Sequence, residues 1–185
     1  MTSDVASGGR TGVLGRTLYR ARQFFTGFRT ILVPSEVRIA RELLTPAELV
    51  LFAGMEPRDR RHSMNVLLWL RRTADLEGAP APSKMLEAAA LLHDVGKGRM
   101  HVVERVAFVI LNAVAPGLVE RIGQPDGPRW RQGLWRLRHH GRLGAEILTS
   151  AGTDPRVIAL VRAHTEHTPA NDLEDEWLRR ADRAC

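Results

Sequence analysis

Ala88-Ala89-Ala90-Leu91-Leu92-His93-Asp94-Val95-Gly96-Lys97 is the stretch that decides the fold, because it sets a histidine and an aspartate side by side at the end of an apolar helix. Counting from Leu86, the apolar positions Ala89 and Ala90 follow at helical spacing, and the next positions on that stripe are His93 and Asp94. Burying an ionised group without a partner costs on the order of several kcal/mol, so a carboxylate beside an imidazole on that face points to a bound cation. The plainer alternative is a histidine and an aspartate that straddle the edge of the buried stripe and face solvent.

The same anomaly recurs along the chain. His62 shares a stripe with Val66, Trp69 and Leu70 in the helix expected after Pro57. Asp154-Pro155 reads as an N-cap followed by proline at the first helical position, and His164 closes the series Val157, Leu160 and Val161. His140 falls on the face of Leu143 and Ile147, and Asp182 falls one turn after Leu178. One such histidine reads as a satisfied core residue. Four histidines and two aspartates on faces expected to be buried call for a shared explanation, and convergence on one metal centre supplies it. Imidazole and carboxylate together suit Fe, Mn, Zn, Co or Ni, and the lone Cys185 argues against a thiolate site.

The order His62, His93-Asp94, Asp182 resembles the H…HD…D signature of the HD-domain superfamily of metal-dependent phosphohydrolases. The surroundings resemble it too: His62-Ser63 opens the first block, Ala89 to Lys97 is similar to AALLHDxGK, His140 to Ala145 to HPxxGA, and Ala181-Asp182 to the closing pair. The resemblance spans about residues 55 to 185 and implies an all-α HD-domain helical bundle. His140 and His164 resemble the extra histidines of the binuclear subset, which includes bacterial diadenosine-tetraphosphate hydrolases and some cyclic-dinucleotide phosphodiesterases. Gly141 stands where proline is usual, and His164-Thr165 replaces the commoner His-His pair. His139 is an alternative ligand to His140, and His167 is a ligand, a phosphate contact or a surface residue. The chain has no GYP motif after this block, which disfavours the cyclic di-GMP subfamily that carries it.

Length and composition bound the rest. A chain of 185 residues suits one domain with a real core, and the single cysteine excludes a disulfide framework and fits a reducing, cytoplasmic setting. No run is long and apolar enough for a membrane span, and no signal-peptide core is visible. The net charge of +6 comes almost wholly from arginine, which suits planar phosphate recognition or simply solvated helix faces. The expected organisation is an arm over 1–12, a basic amphipathic helix over 13–35, and the HD domain over 36–185. That first helix has three readings: docking on the domain, peripheral contact with a membrane surface, or contact with a protein partner.

Further along, Thr45-Pro46-Ala47-Glu48 predicts a capping box, Ser83 an N-cap, Val102 to Val114 a core helix or homodimer face, Gln124 to Pro128 a turn, Trp130 to Arg138 a basic helix, and Gly152 a helix stop. No alternating strand is visible, which also points to an all-α fold.

The resemblance implies one or two divalent ions, Fe or Mn by preference. His62, His93, Asp94 and Asp182 would hold the first, and Asp94 would bridge to a second held by His140 and His164. A metal-activated hydroxide would then attack a phosphoester or phosphoanhydride of a nucleotide-like substrate, with Asp94 and Lys97 as catalytic residues. Lys97 is also placed to contact phosphate, or else to complement its helix dipole. Arg58, Arg61 and Arg138, near the expected ligands in sequence, are candidates for further phosphates. The alternative function is a non-catalytic HD module in signalling or assembly that binds metal or nucleotide. Nucleic-acid binding has only charge in its favour, since aromatic residues are scarce and no recognition motif is visible.

Overall fold

The computed structural model describes residues 31–98, 108, 111, 116–166, 170 and 172–185. The chain divides between Ile31 and Leu32, and the unit 32–185 holds every helix among the described residues. The expected arm over 1–12, the amphipathic helix up to residue 30 and His167 lie outside the described residues. So does the apolar segment Val102 to Val114, apart from Phe108 and Leu111, both helical.

Helix starts obey local chemistry. α1 (Pro34–Leu43) begins with proline at its first position, and the Glu36 carboxylate accepts the Val33 N–H at 2.8 Å. The junction expected at 35/36 therefore falls inside a helix, because Pro34 and Glu36 start that helix earlier. α2 (Pro46–Gly54) has the reciprocal box expected of Thr45 and Glu48, with Glu48 N–H on Thr45 Oγ1 and Thr45 N–H on Glu48 Oε2. α3 (Pro57–Glu77) ends at Gly78, whose φ of 62° is the left-handed conformation that glycine adopts without a Cβ penalty. Ser83 accepts the Leu86 N–H to start α4 (Lys84–Leu92), which leads into a 3-10 turn at Val95–Lys97.

After α5 (Pro116–Ile122), α6 (Arg129–Ser150) continues the expected basic helix well beyond Arg138. Asp154 caps α7 (Pro155–Ala163), and Asp172 caps α8 (Leu173–Ala184) through the amides of Glu174 and Asp175. No strand occurs among the described residues, and the fold is all-α.

α4 is the central helix. Every residue from Leu86 to Leu92 is buried, and the helix packs against α1, α2, α3, α7 and α8. A helix that is apolar almost all round is stable only inside a core, and three consecutive alanines let its neighbours approach closely. Glu87, its one buried charge, is met by a two-pronged contact from Arg71 of α3. Met64, Leu67, Leu70, Leu91, Leu92, Leu148, Leu160 and Leu178 are fully buried around it. Each contributes about 1.5–3 kcal/mol of transfer free energy, so Leu91→Ala should cost about 2–5 kcal/mol.

The face that α6 buries differs from the expected one. Ile147 is exposed and Leu143 only half-buried, whereas Leu134, Leu137, Gly141, Gly144, Ala145 and Leu148 are buried. The reason is close backbone packing. A Cβ on Gly96, in the 3-10 turn, would sit 2.0 Å from the His140 carbonyl oxygen and 2.5 Å from the Gly144 nitrogen. A Cβ on Gly141 would meet Thr165 Oγ1 at 2.4 Å. Glycine here replaces side-chain contact with backbone contact. That brings the turn after Asp94 and the end of α7 against the middle of α6.

Candidate metal centre

Five helices deliver six side chains to one place. His62 comes from the second turn of α3, His93 and Asp94 from the C-terminal end of α4, His140 from the middle of α6, His164 from the end of α7, and Asp182 from the last turn of α8. They form three overlapping triads: His62, His93 and Asp94; His93, His164 and Asp182; and Asp94, His140 and His164. In each, the candidate ligand atoms lie within 4.8 Å of one another. His93 and Asp94 are buried, and His164 nearly so.

Backbone hydrogen bonds orient three of the rings in the same way. His93, His140 and His164 each set Nδ1 against the carbonyl oxygen three residues earlier: Ala90 at 2.9 Å, Leu137 at 2.6 Å and Val161 at 2.6 Å. A carbonyl only accepts, so each Nδ1 carries the proton and each neutral ring is left with a lone pair on Nε2. Those Nε2 atoms point inward. His140 Nε2 and His164 Nε2 face each other at 3.2 Å, two acceptors with no proton between them in the neutral state. His93 Nε2 is 3.3 Å from Asp94 Oδ1 and 3.5 Å from Asp182 Oδ1, and both His93 Nε2 and Asp94 Oδ1 are buried without a hydrogen bond. Buried polar atoms are normally partnered, so this set of inward lone pairs and carboxylate oxygens fits a divalent cation.

The electrostatics agree. Burial pushes His140 down to about 3 and His164 down to about 4, with the neighbouring Lys97 and His93 charges adding to the effect, so both are neutral ligands at ordinary pH. His93 behaves oppositely: burial opposes its charge, but Asp94 and Asp182 outweigh burial and raise it to about 9. Asp94 and Asp182 are themselves held below the usual carboxylate range. For Asp94, His93, Lys97, His62 and His140 overcome burial; for Asp182, the hydrogen bond from His62 and the nearby His93 do so. Without an ion, the carboxylates draw a proton onto His93 where a cation would otherwise sit.

Two pairings complete the site. His62 Nε2 lies 2.8 Å from Asp182 Oδ1, and Lys97 Nζ donates to Asp94 Oδ2 at 2.6 Å, leaving Asp94 Oδ1 for the centre. Asp94 and Asp59 together hold Lys97 charged against its burial. Asp59 is a residue that sequence reasoning missed. It lies one helical turn before His62 and is 4% exposed, so the stripe that picked out His62 also runs through it.

The remaining candidates are placed elsewhere. Arg61 donates to Glu36 at 2.5 Å, which ties α3 to α1 and engages its guanidinium inside the fold. Arg58 is exposed in the first turn of α3. Arg138 lines a groove of about 600 Å³ with His139, Arg142, Arg162 and Thr165, and none of the six clustered residues lines that groove. His139 stacks on Trp135 with ring centres 4.8 Å apart and donates to the Trp135 carbonyl, so His140 is the histidine of that pair that joins the cluster. No helix among the described residues is long and apolar enough to cross a membrane.

A family model described as HD domain matches residues 60–184. No curated protein and no solved structure matches the chain.

Proposed function

Because this chain belongs to the HD domain family, we propose that it is a metal-dependent phosphohydrolase cleaving a phosphoester or phosphoanhydride of a nucleotide-like substrate. The observation that carries this reading is the set of candidate ligand atoms around one centre: Nε2 of His93, His140 and His164, each ring held at Nδ1 by a backbone carbonyl, with the unpartnered Asp94 Oδ1 among them. His62, His93, Asp94 and Asp182 would hold one divalent ion, and Asp94, His140 and His164 a second. Such ions supply Lewis-acid activation of water and neutralise phosphoryl oxygens.

The chain's own residues provide the rest. The Nδ1 bonds fix the tautomer and tilt of His93, His140 and His164, so these rings need not reorganise on binding. Lys97 holds one oxygen of Asp94 and keeps the other aimed inward. Its ammonium, bonded to Asp94 and held charged by Asp94 and Asp59, supplies positive charge beside the site for a non-bridging phosphoryl oxygen. Mixed histidine and carboxylate donors favour Fe or Mn, and the described cluster contains no thiolate.

The test is turnover. Protein purified without chelator should release phosphate or a nucleotide product from at least one member of a panel of mononucleotides, dinucleoside polyphosphates and cyclic dinucleotides. His93→Ala and Asp94→Ala should abolish that turnover while retaining helical circular dichroism. A protein that holds metal and hydrolyses nothing in the panel would support the non-catalytic HD module instead.

A further inference from the structure

The groove of about 600 Å³ lined by Arg138 lies between the middle of α6 and the end of α7, apart from the metal centre. None of the six clustered residues lines it, although His139 and Thr165 are the chain neighbours of His140 and His164. Its charged lining sets Arg138, Arg142 and Arg162 against Glu146 and Glu166, and the rest is His139 and Thr165. A space of this size falls within the roughly 300–1,000 Å³ of pockets that hold a whole small molecule.

The fold leaves positive charge over in this groove. Arg138 and Glu166 are both engaged within the fold. Arg142 and Glu146 pair at 3.2 Å, but their side chains are 52% and 55% exposed, and a pair so open to water contributes little and gives way to a more highly charged partner. Arg162 is exposed and has no hydrogen bond or ion pair to a described residue. Helix energetics do not account for the pattern either. α6 carries Arg129, Arg131, Arg136, Arg138 and Arg142 before its first acid, Glu146. Arg138 and Arg142 stand four residues apart, a spacing at which like charges destabilise a helix. An anion in the groove would remove that repulsion.

The lining selects the kind of anion. An apolar ligand would meet no apolar wall, and a cation would have two carboxylates against three guanidiniums. Arg138 and Arg142 lie about 6 Å apart along the helix axis, and Arg162 reaches the same groove from α7. A linear chain of phosphates lying along α6 offers successive oxygens to all three, and the planar guanidinium fork takes phosphate oxygens two at a time. We propose that this groove is a second anion site, which takes the linear phosphate chain of an inorganic oligophosphate or a nucleoside polyphosphate through Arg138, Arg142 and Arg162. It binds without the metal centre and without turnover, so it does not rest on the phosphohydrolase reading.

Calorimetric titration of the full-length protein with inorganic tripolyphosphate, and separately with ATP, tests this. At about 0.1 M salt, charges more than about 10 Å apart are largely screened, so arginines outside the groove should count for little. The event assigned to the groove is the one that Asp94→Ala retains, at about one tripolyphosphate per chain. Arg142→Glu and Arg162→Glu should each weaken it at least tenfold, and Arg162→Lys, which keeps the charge but loses the fork, should weaken it less. Both positions are exposed, and an unchanged thermal melt checks that each variant is folded. Arg72→Glu makes the same charge change at an exposed arginine of α3 outside the groove lining, and should leave the affinity within about twofold. ATP should bind within about tenfold of tripolyphosphate, because the phosphate chain is what the two share. No binding in Asp94→Ala, binding that Arg142→Glu and Arg162→Glu leave intact, or equal weakening by Arg72→Glu would overturn the site. ATP bound and tripolyphosphate refused would overturn the phosphate chain as the recognised element.

Discussion

The centre around Asp94 and the group around Arg156 are both clusters of charged side chains that join separate helices, and they are finished differently. Arg156 of α7 donates to Glu174 at 2.7 and 3.0 Å and to Asp172 at 2.8 Å, and Asp172 also caps α8, so its carboxylate oxygens have described donors. It lies at the surface, with Arg156 and Asp172 side chains 37% and 40% exposed. The centre is buried, yet His93 Nε2 and Asp94 Oδ1 have no partner, and two imidazole lone pairs face each other. A surface group can complete itself with bulk water, whereas a buried one needs an ordered water or an ion. The unfinished bonding of the centre therefore suits a divalent cation, while the completed strut is structural.

The largest effect should come from removing a ligand. Partners that only orient a ligand are each worth about 10–100-fold in metal affinity or activity, so Asp94→Ala should cost more than about 100-fold in both, measured by metal titration and by turnover. Gly96→Ala comes next. Its Cβ would fall 2.0 Å from the His140 carbonyl oxygen, and backbone must move to admit it. A destabilisation of about 1–3 kcal/mol by denaturant melt is expected, with loss of the ion held by His140.

Chelation separates the two clusters by pH. In the metal-free protein, His93 is raised to about 9, so its contribution is complete below the unfolded value near 6.5 and is lost as pH rises through 9. His140 and His164 are pushed down to about 3 and 4, so the unfolded chain binds protons more readily than the folded one, and stability also falls as pH drops below 6.5 towards those values. Stability of the chelated protein should therefore peak near pH 6.5. Saturating metal should remove the decline between 6.5 and 9, since the ion replaces the proton on His93. At 100 times its dissociation constant, an ion would stabilise the fold by about 2.7 kcal/mol, a shift of several degrees in Tm.

The smallest effect belongs to the strut. Asp172 is lowered to about 2 by its hydrogen bond from Arg156 and then by the Asp175 amide, so its contribution is present above about 3.8 and lost as pH falls through 2. Asp172→Asn keeps an effective N-cap and removes only the charge. It should cost at most about 1 kcal/mol at neutral pH, as exposed pairs do, and should flatten the acid limb between pH 4 and 2 while leaving metal binding alone.

Where local chemistry set the structure, the sequence was legible. Thr45 with Glu48, Ser83, and Asp154 with Pro155 announce their helices through side chains that satisfy the first free amides, and each cap is formed. The stripe through Leu86, Ala89 and Ala90 carried His93 and Asp94 to buried positions because that helix is buried throughout. The illegible parts depend on contacts between distant segments. α6 is anchored through Gly141 and Gly144, and apolar periodicity gives glycine no weight, so its inner face is not the one that Leu143 and Ile147 suggest. Arg61 pairs with Glu36 from another helix, which spacing along α3 does not reveal. Asp59 looks like an ordinary first-turn acid of α3 until the fold sets it against Lys97.

The most direct test of a cation at the centre is the metal content of full-length protein purified anaerobically without chelator or added metal, compared with His140→Ala and His93→Ala. About two ions per chain are predicted in the wild type, about one in His140→Ala and fewer still in His93→Ala. A folded wild type that carries no metal, and whose melting temperature is unmoved by Fe, Mn, Zn, Co or Ni, would contradict the assignment.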